Sequence, residues 1–352
     1  MPHPYKTLPA RAFWRTAVAQ ADRDHFPGLY EPRFKITPDT AVATAGSCFA
    51  QHIGSYLKLA GCNVCDVEPA PRGMSQKTAQ QFGYGVYSAR YGNIYTAKQL
   101  RQLLEEVSDP APAPCEVWQR DGTYLDALRP TIEPFGLTSP EEVRAHRAHH
   151  LARLVTLLSE VEVFVFTLGL TESWMDTQSG RVYPVCPGVA GGQFDPMRHE
   201  FRNFTCADIV EDLHAIQGLL RRYQPDIKLL LTVSPVPLTA TASGEHVLSA
   251  TSYSKAVLRA AAGQFVQETT ETDYFPSLEI ITAPASGGPW FEDDMRAVRT
   301  EGVEKVMLIF FQAHGILDAG DPDTDAAGPA VLDEVLDDDL ICEDLLLQAF
   351  SK

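Results

Sequence analysis

No stretch of the 352-residue sequence is long and apolar enough to cross a bilayer, and the opening MPHPYKTLPARAFW lacks the apolar core of a secretory leader. These absences set the expectation of a cytoplasmic, bacterial-type location with no membrane span. Cysteine is sparse and odd in number: seven residues, at 48, 62, 65, 115, 186, 206 and 342, are scattered along the chain. That excludes a complete disulfide framework and suits free thiols. Cys62 and Cys65 have CxxC spacing, but without a second pair the redox or zinc reading lacks its usual context. Positive charge is scarce as well, with 29 Lys and Arg against 46 Asp and Glu and a net charge of −17. Such a balance offers no electrostatic footprint for nucleic acid and favours neutral or weakly charged substrates. Much of the imbalance is terminal: from Ile316 onward eleven acids face one base.

What the chain does contain is organised around residues 41–60, AVATAGSCFAQHIGSYLKLA. A short apolar run reaches Gly46 and a Ser-Cys pair, after which Phe49, Ile53, Tyr56, Leu57 and Ala60 recur at helical spacing. The pattern predicts strand, tight turn, helix. Such a turn sets Ser47 at the carboxyl edge of a sheet and at the positive end of a helix, where developing negative charge is stabilised. Ser47 is therefore the leading nucleophile, and the plainer reading is a serine N-cap after a glycine turn. Cys48 adjoins it at a helix start that favours a thiolate; the competing reading is a small cysteine packed under the turn.

Residues 1–40 are polar and proline-punctuated but rich in aromatics, which predicts an arm with a short helix over 10–21 packing on the body. In the body, 41–315, a second strand is expected over 63–67 and a long ordered loop over 68–96, then a helix over 97–107. A proline-rich insertion over 108–137 carries the hairpin signal Asp121-Gly122. Ser139-Pro140-Glu141-Glu142 starts a long helix. His146, His149 and His150 lie on it at spacings that suit a metal, but their neighbours are arginines, and a solvated face is the other reading. A buried strand over 162–168 ends in Gly169-Leu170-Thr171-Glu172-Ser173-Trp174, followed by a second long loop over 175–204 that contains His199. Beyond it come a helix over 205–223, a strand over 227–233, a loop with Glu245 and His246, and a helix over 252–267. A strand over 278–282, a polar cluster around Asp294 and a helix over 300–311 complete the body. Five strands alternating with helices predict a three-layer α/β/α sandwich around a five-stranded, mainly parallel sheet. The polar clusters at 46–48, 169–174, 234–246 and 291–296 all fall at its carboxyl edge, where such sheets bind ligands. Residues 316–352 predict an acidic tail with a helix over 330–350, either solvated or a docking segment for a protein partner.

Residues 45–50, AGSCFA, stand in order with YGNIYT at 91–96, TLGLTE at 167–172, YPVCPG at 183–188, SYSK at 252–255 and DYFPS at 273–277. The set resembles the GSCFA family, a branch of the SGNH (GDSL-like) esterase superfamily. The resemblance implies a flavodoxin-like sheet of strand order 2-1-3-4-5. It also implies a serine ester hydrolase or O-acyltransferase acting on an acyl group, such as acetyl, of a carbohydrate, with no cofactor. Carried over residue by residue, Ser47 is the nucleophile and first oxyanion N–H. Gly92, with Gly85 as runner-up, supplies the second, and Asn93 lies beside it. Where the superfamily has Gly-x-Asn, this chain has Gly169 and Thr171, whose hydroxyl offers one donor in place of an amide. Where the superfamily ends in Asp-x-x-His, this chain has Asp294-Met295-Arg296-Ala297. Asp294 is thus matched while the general base is alanine, and a serine without a base in reach is a weak nucleophile. His246 is the first substitute, His199 the second and His52 the third; each also reads as an ordinary loop or surface histidine. Glu172 and Trp174 suit a sugar, through hydroxyls and stacking, or equally a helix-start acid and a core aromatic. The alternative to an enzyme is a degenerate module that binds a glycan or glycosylated protein.

Overall fold

The structure, a computed structural model, describes residues 3–21, 26–109 and 115–317; the tail beyond, with its expected helix, lies outside the described residues. The chain runs β1 (Val42–Gly46), α1 (Cys48–Leu59), α2 (Gln76–Gln81), α3 (Ala97–Ser108), β2 (Val117–Arg120), β3 (Thr123–Asp126) and α4 (Pro140–Glu160). It continues with β4 (Val163–Leu168), β5 (Glu172–Asp176), β6 (Val182–Tyr183), β7 (His199–Asn203), α5 (Cys206–Arg221) and β8 (Lys228–Val233). The last elements are α6 (Val247–Glu268), β9 (Thr272–Phe275), α7 (Ser277–Thr282) and α8 (Thr300–His314).

The central sheet is parallel, in the order β1-β4-β8-β9. Its strands are apolar on both faces because both are covered. Val42, Val163, Val165 and Leu230 pack against Phe49 and Leu57 of α1 and Val306 and Phe310 of α8. Ala43, Phe164, Phe166 and Leu231 face the opposite way, toward α3, α4, α5 and α6. The result is the expected three-layer α/β arrangement.

Two strand assignments need correction. The expected strand over 63–67 contributes a single parallel bridge, Val42 to Val64, so the sheet has four strands and a rudiment in place of five. After Cys65 donates to Val42 the backbone leaves the edge, and Val67 bonds instead to Ser88 at 3.0 Å. The final strand is Thr272–Phe275, and 278–282 belongs to α7. Pro276 has no N–H to continue a ladder, and it ends the strand; the apolar residues beyond it bury Ile280 and Ile281 on one helical face.

Three more differences concern boundaries. Residues 10–21 hold a 3-10 turn at Ala10–Ala12 and a π-turn at Arg15–Ala19, not one helix. The loop expected over 175–204 contains most of a small antiparallel sheet, β6-β5-β7, in which Trp174 lies opposite both Tyr183 and Phe201. Helix α6 starts at Val247, five residues before 252, because His246 caps it. The Asp121-Gly122 hairpin forms as expected, with φ of +48° and +82° at its two turn residues.

Candidate active site at the Gly46 turn

Gly46 closes β1 with φ of +143°, and a Cβ there would stand 2.5 Å from the Thr167 carbonyl oxygen. Only glycine lets β1 turn this close to β4. Ser47 follows as the residue before α1, but its side chain makes no capping bond. Its Oγ is buried and has no hydrogen-bond partner. The hydroxyl therefore occupies the N-cap position without capping the helix. The Ser47 N–H donates to Thr167 O at 3.3 Å, and its carbonyl accepts from Tyr87 Oη at 3.2 Å.

The turn after β4 is fastened against this serine. The N–H groups of Gly169 and Leu170 both donate to Tyr95 O at 2.9 Å, and Ile94 N–H donates to Gly46 O at 2.8 Å. From α6, Lys255 Nζ donates to Gly169 O at 2.8 Å, while Ser254 Oγ accepts from Thr171 N–H at 3.1 Å. A Cβ on Gly169 would meet Ser47 Cβ at 3.0 Å, so glycine is what permits the contact.

Above these segments lies a cavity of about 280 Å³. Ser47, Cys48, Gly169, Glu172, Trp174 and Arg296 line it, and Val185, Phe201 and Leu238 make much of the remaining wall apolar. The fold thus brings together five of the residues singled out in the sequence. Gly92 and Asn93 line a smaller neighbouring cavity that shares Tyr95, Pro184 and Val185 with the first. The Asn93 amide is engaged there: it donates to Tyr95 Oη at 3.0 Å and accepts from Gln51 Nε2 at 3.3 Å and from Tyr87 Oη. Thr171 is buried between lining residues without reaching the wall, and its Oγ1 has no partner.

The histidines lie elsewhere. His246 is exposed, and its Nδ1 accepts from Leu248 N–H at 3.2 Å as the cap of α6. His199 is buried at the start of β7, where Nδ1 accepts from Asp195 N–H at 3.0 Å and the ring packs against Tyr183. His52 packs against Phe49, and burial pushes its imidazole down to about 4. Among the described residues no histidine lines the cavity. Asp294 is exposed and accepts from the N–H groups of Arg296 at 2.8 Å and Ala297 at 2.9 Å. It shapes the turn that carries Arg296 to the cavity wall.

The cavity's carboxylate is Glu172. Burial pushes its pKa up, against the pull of a hydrogen bond from Thr241 Oγ1 at 2.7 Å. Residue-type reasoning missed Tyr95, Thr241 and Arg296 as wall residues. The available signal was position: Thr241 and Arg296 fall in polar clusters at the carboxyl ends of β8 and β9, the edge on which the site was expected.

A parallel α/β sheet with a turn-borne serine on a cavity at its carboxyl edge defines the class. The family model for the GSCFA family matches residues 41–310, and the chain belongs to that family. No protein of curated function matches it by sequence. Among solved structures it is similar to one described as a candidate GDSL-like lipase from Parabacteroides merdae, at 14% identity and a TM-score of 0.34, over 81% of this chain and 100% of the other. That likeness is distant. No helix among the described residues is long and apolar enough to cross a membrane.

Proposed function

We propose that the cavity at the Gly46 turn is the site of a serine esterase or O-acyltransferase acting on an acyl ester of a carbohydrate, with Ser47 as the nucleophile. The observation that carries this reading is the Ser47 hydroxyl, buried and unpartnered on the cavity wall at the first turn of α1. A hydroxyl that neither caps its helix nor bonds a neighbour is free for a reacting carbon, and the helix start favours the oxyanion that forms. The apolar wall suits the acyl group, and Trp174 offers an aromatic surface to a sugar ring.

In this reading Ser47 Oγ forms a bond to the ester carbonyl carbon while its proton passes to Glu172, the carboxylate of the same cavity. The tetrahedral adduct expels the alcohol, which takes that proton, and water or an acceptor hydroxyl then releases the acyl group by the same steps reversed. Gly92 N–H and the Thr171 hydroxyl would complete the oxyanion hole after movement, since neither lines the cavity in this conformation. His246 and Asp294 are not assigned as base and orienting acid, because one caps α6 and the other shapes an exposed turn.

A second reading, binding of the glycan without turnover, is favoured by one observation: Ala297 stands where an SGNH site carries histidine, and among the described residues no histidine lines the cavity. Intact-mass measurement after incubation with a fluorophosphonate separates the two. The esterase reading expects one adduct, lost in Ser47→Ala and slowed about 100-fold or more in Glu172→Gln. An unlabelled wild type that still binds acetylated glycan would leave the binding module, and labelling that persists in Ser47→Ala would overturn the assignment of the nucleophile.

A further inference from the structure

A separate cavity, of about 390 Å³, opens between α4 and the loops on either side of α2. His146, His149 and Arg153 reach it from α4, Glu68 and Arg90 from the loops around α2, and Arg129 from the connection between β3 and α4. Three guanidinium groups on one cavity are unusual in a chain of net charge −17.

Most of the charge there is already spoken for. Arg90 pairs with Glu133 at 2.8 Å and stacks over Tyr84, and Arg129 pairs with Asp126 at 2.8 Å. Glu68 Oε2 accepts from Arg90 N–H at 2.7 Å and meets His150 Nδ1 at 2.7 Å. His146 lies 3.5 Å from Glu133. Arg153 differs from these. Its Nε donates to Val67 O at 2.6 Å, which fixes the plane of the guanidinium, and among the described residues no carboxylate pairs with it. His149 is likewise without a partner among the described residues, and it is exposed.

An arginine anchored through Nε keeps two terminal nitrogens for a ligand, in the fork that matches a tetrahedral oxyanion. A neighbouring imidazole adds a further donor. The carboxylate that lines the cavity, Glu68, is engaged by the Arg90 N–H and His150, so an entering anion meets donors first. We propose that this cavity binds a phosphate-type oxyanion, held by Arg153 and His149 and backed by the charges of Arg90 and Arg129. The site is independent of the chemistry at Ser47.

The test is calorimetric titration of the full chain with inorganic phosphate at pH 7 and constant ionic strength. Saturable binding is expected for the wild type, weakened about ten-fold or more in Arg153→Ala and several-fold in His149→Ala. Arg144→Ala, which removes an exposed arginine of α4 paired with Glu141, is expected to leave the affinity unchanged. Circular dichroism in the absence of phosphate establishes that each variant is folded, and His149→Ala serves if Arg153→Ala is not. No saturable heat with the wild type, or equal affinities in the wild type and both site variants, would overturn the proposal.

Discussion

Burial pushes His52, His150 and His314 each down to about 4, and for His150 the nearby Arg129 charge acts in the same direction. His314 Nδ1 accepts from Ile36 N–H at 3.1 Å, a bond that protonation would remove. In the unfolded chain these groups titrate near 6.5, so between about pH 6.5 and 4 the unfolded state binds more protons than the folded one. Their contribution is therefore complete above pH 6.5 and is lost as the pH falls toward 4. For the fully buried His150 the loss is about 3 kcal/mol. Urea midpoints measured from pH 7 down to 4.5 should fall steadily, and a flat profile would contradict neutral burial. Glu68 acts in a lower window. Burial raises its pKa, but the His150 and Arg90 hydrogen bonds outweigh that and hold it at about 2, so its share is lost only below about pH 4.

Among the elements, the small β6-β5-β7 sheet forms one wall of the site and hangs on a buried acid. Asp176 is fully buried; one carboxylate oxygen accepts from Gln178 N–H at 2.7 Å and Ser179 N–H at 3.1 Å, and the other meets the Arg198 guanidinium. Removing it leaves Arg198 with Glu116 alone, at 3.3 Å, and takes the acceptor from two amides. Asp176→Ala should cost about 1–3 kcal/mol and make the 176–199 segment the first site of limited proteolysis; unchanged cleavage would show that Trp174 and its strand neighbours hold the wall alone. This sheet is also where sequence reasoning fell short. Its strands are two to five residues long, too short for alternation to register, and what defines them is the pairing of Trp174 with distant Tyr183 and Phe201. By contrast, the Gly46 turn was legible because strand, glycine, serine and helix are contiguous. The wall residues Tyr95 and Arg296 were not, because the loops that carry them have no periodicity. His246 illustrates the same limit: expected in a loop before a helix over 252–267, it is instead the cap of α6, which begins five residues earlier.

At the scale of the whole molecule, the sheet separates two apolar cores. Leu213 of α5 belongs to one and Val306 of α8 to the other, both without exposed surface. Leu213→Ala and Val306→Ala should cost about 3 and about 2 kcal/mol, and their effects should add within about 0.5 kcal/mol because no side chain is shared. Coupling larger than 1 kcal/mol in the double variant would mean that the two faces respond as one. The layered architecture itself was legible from continuous apolar strands alternating with amphipathic helices. The strand count was not, since an edge segment that leaves after one bridge has the same composition as one that stays. The shared Tyr95 carbonyl, which takes both the Gly169 and the Leu170 N–H, has a consequence of a different kind. Main-chain bonds, indifferent to side-chain identity, join the two halves of the cleft. Such a frame does not depend on which side chains face the cavity, so substitutions on its wall can change what the receptacle holds while leaving the receptacle itself in place.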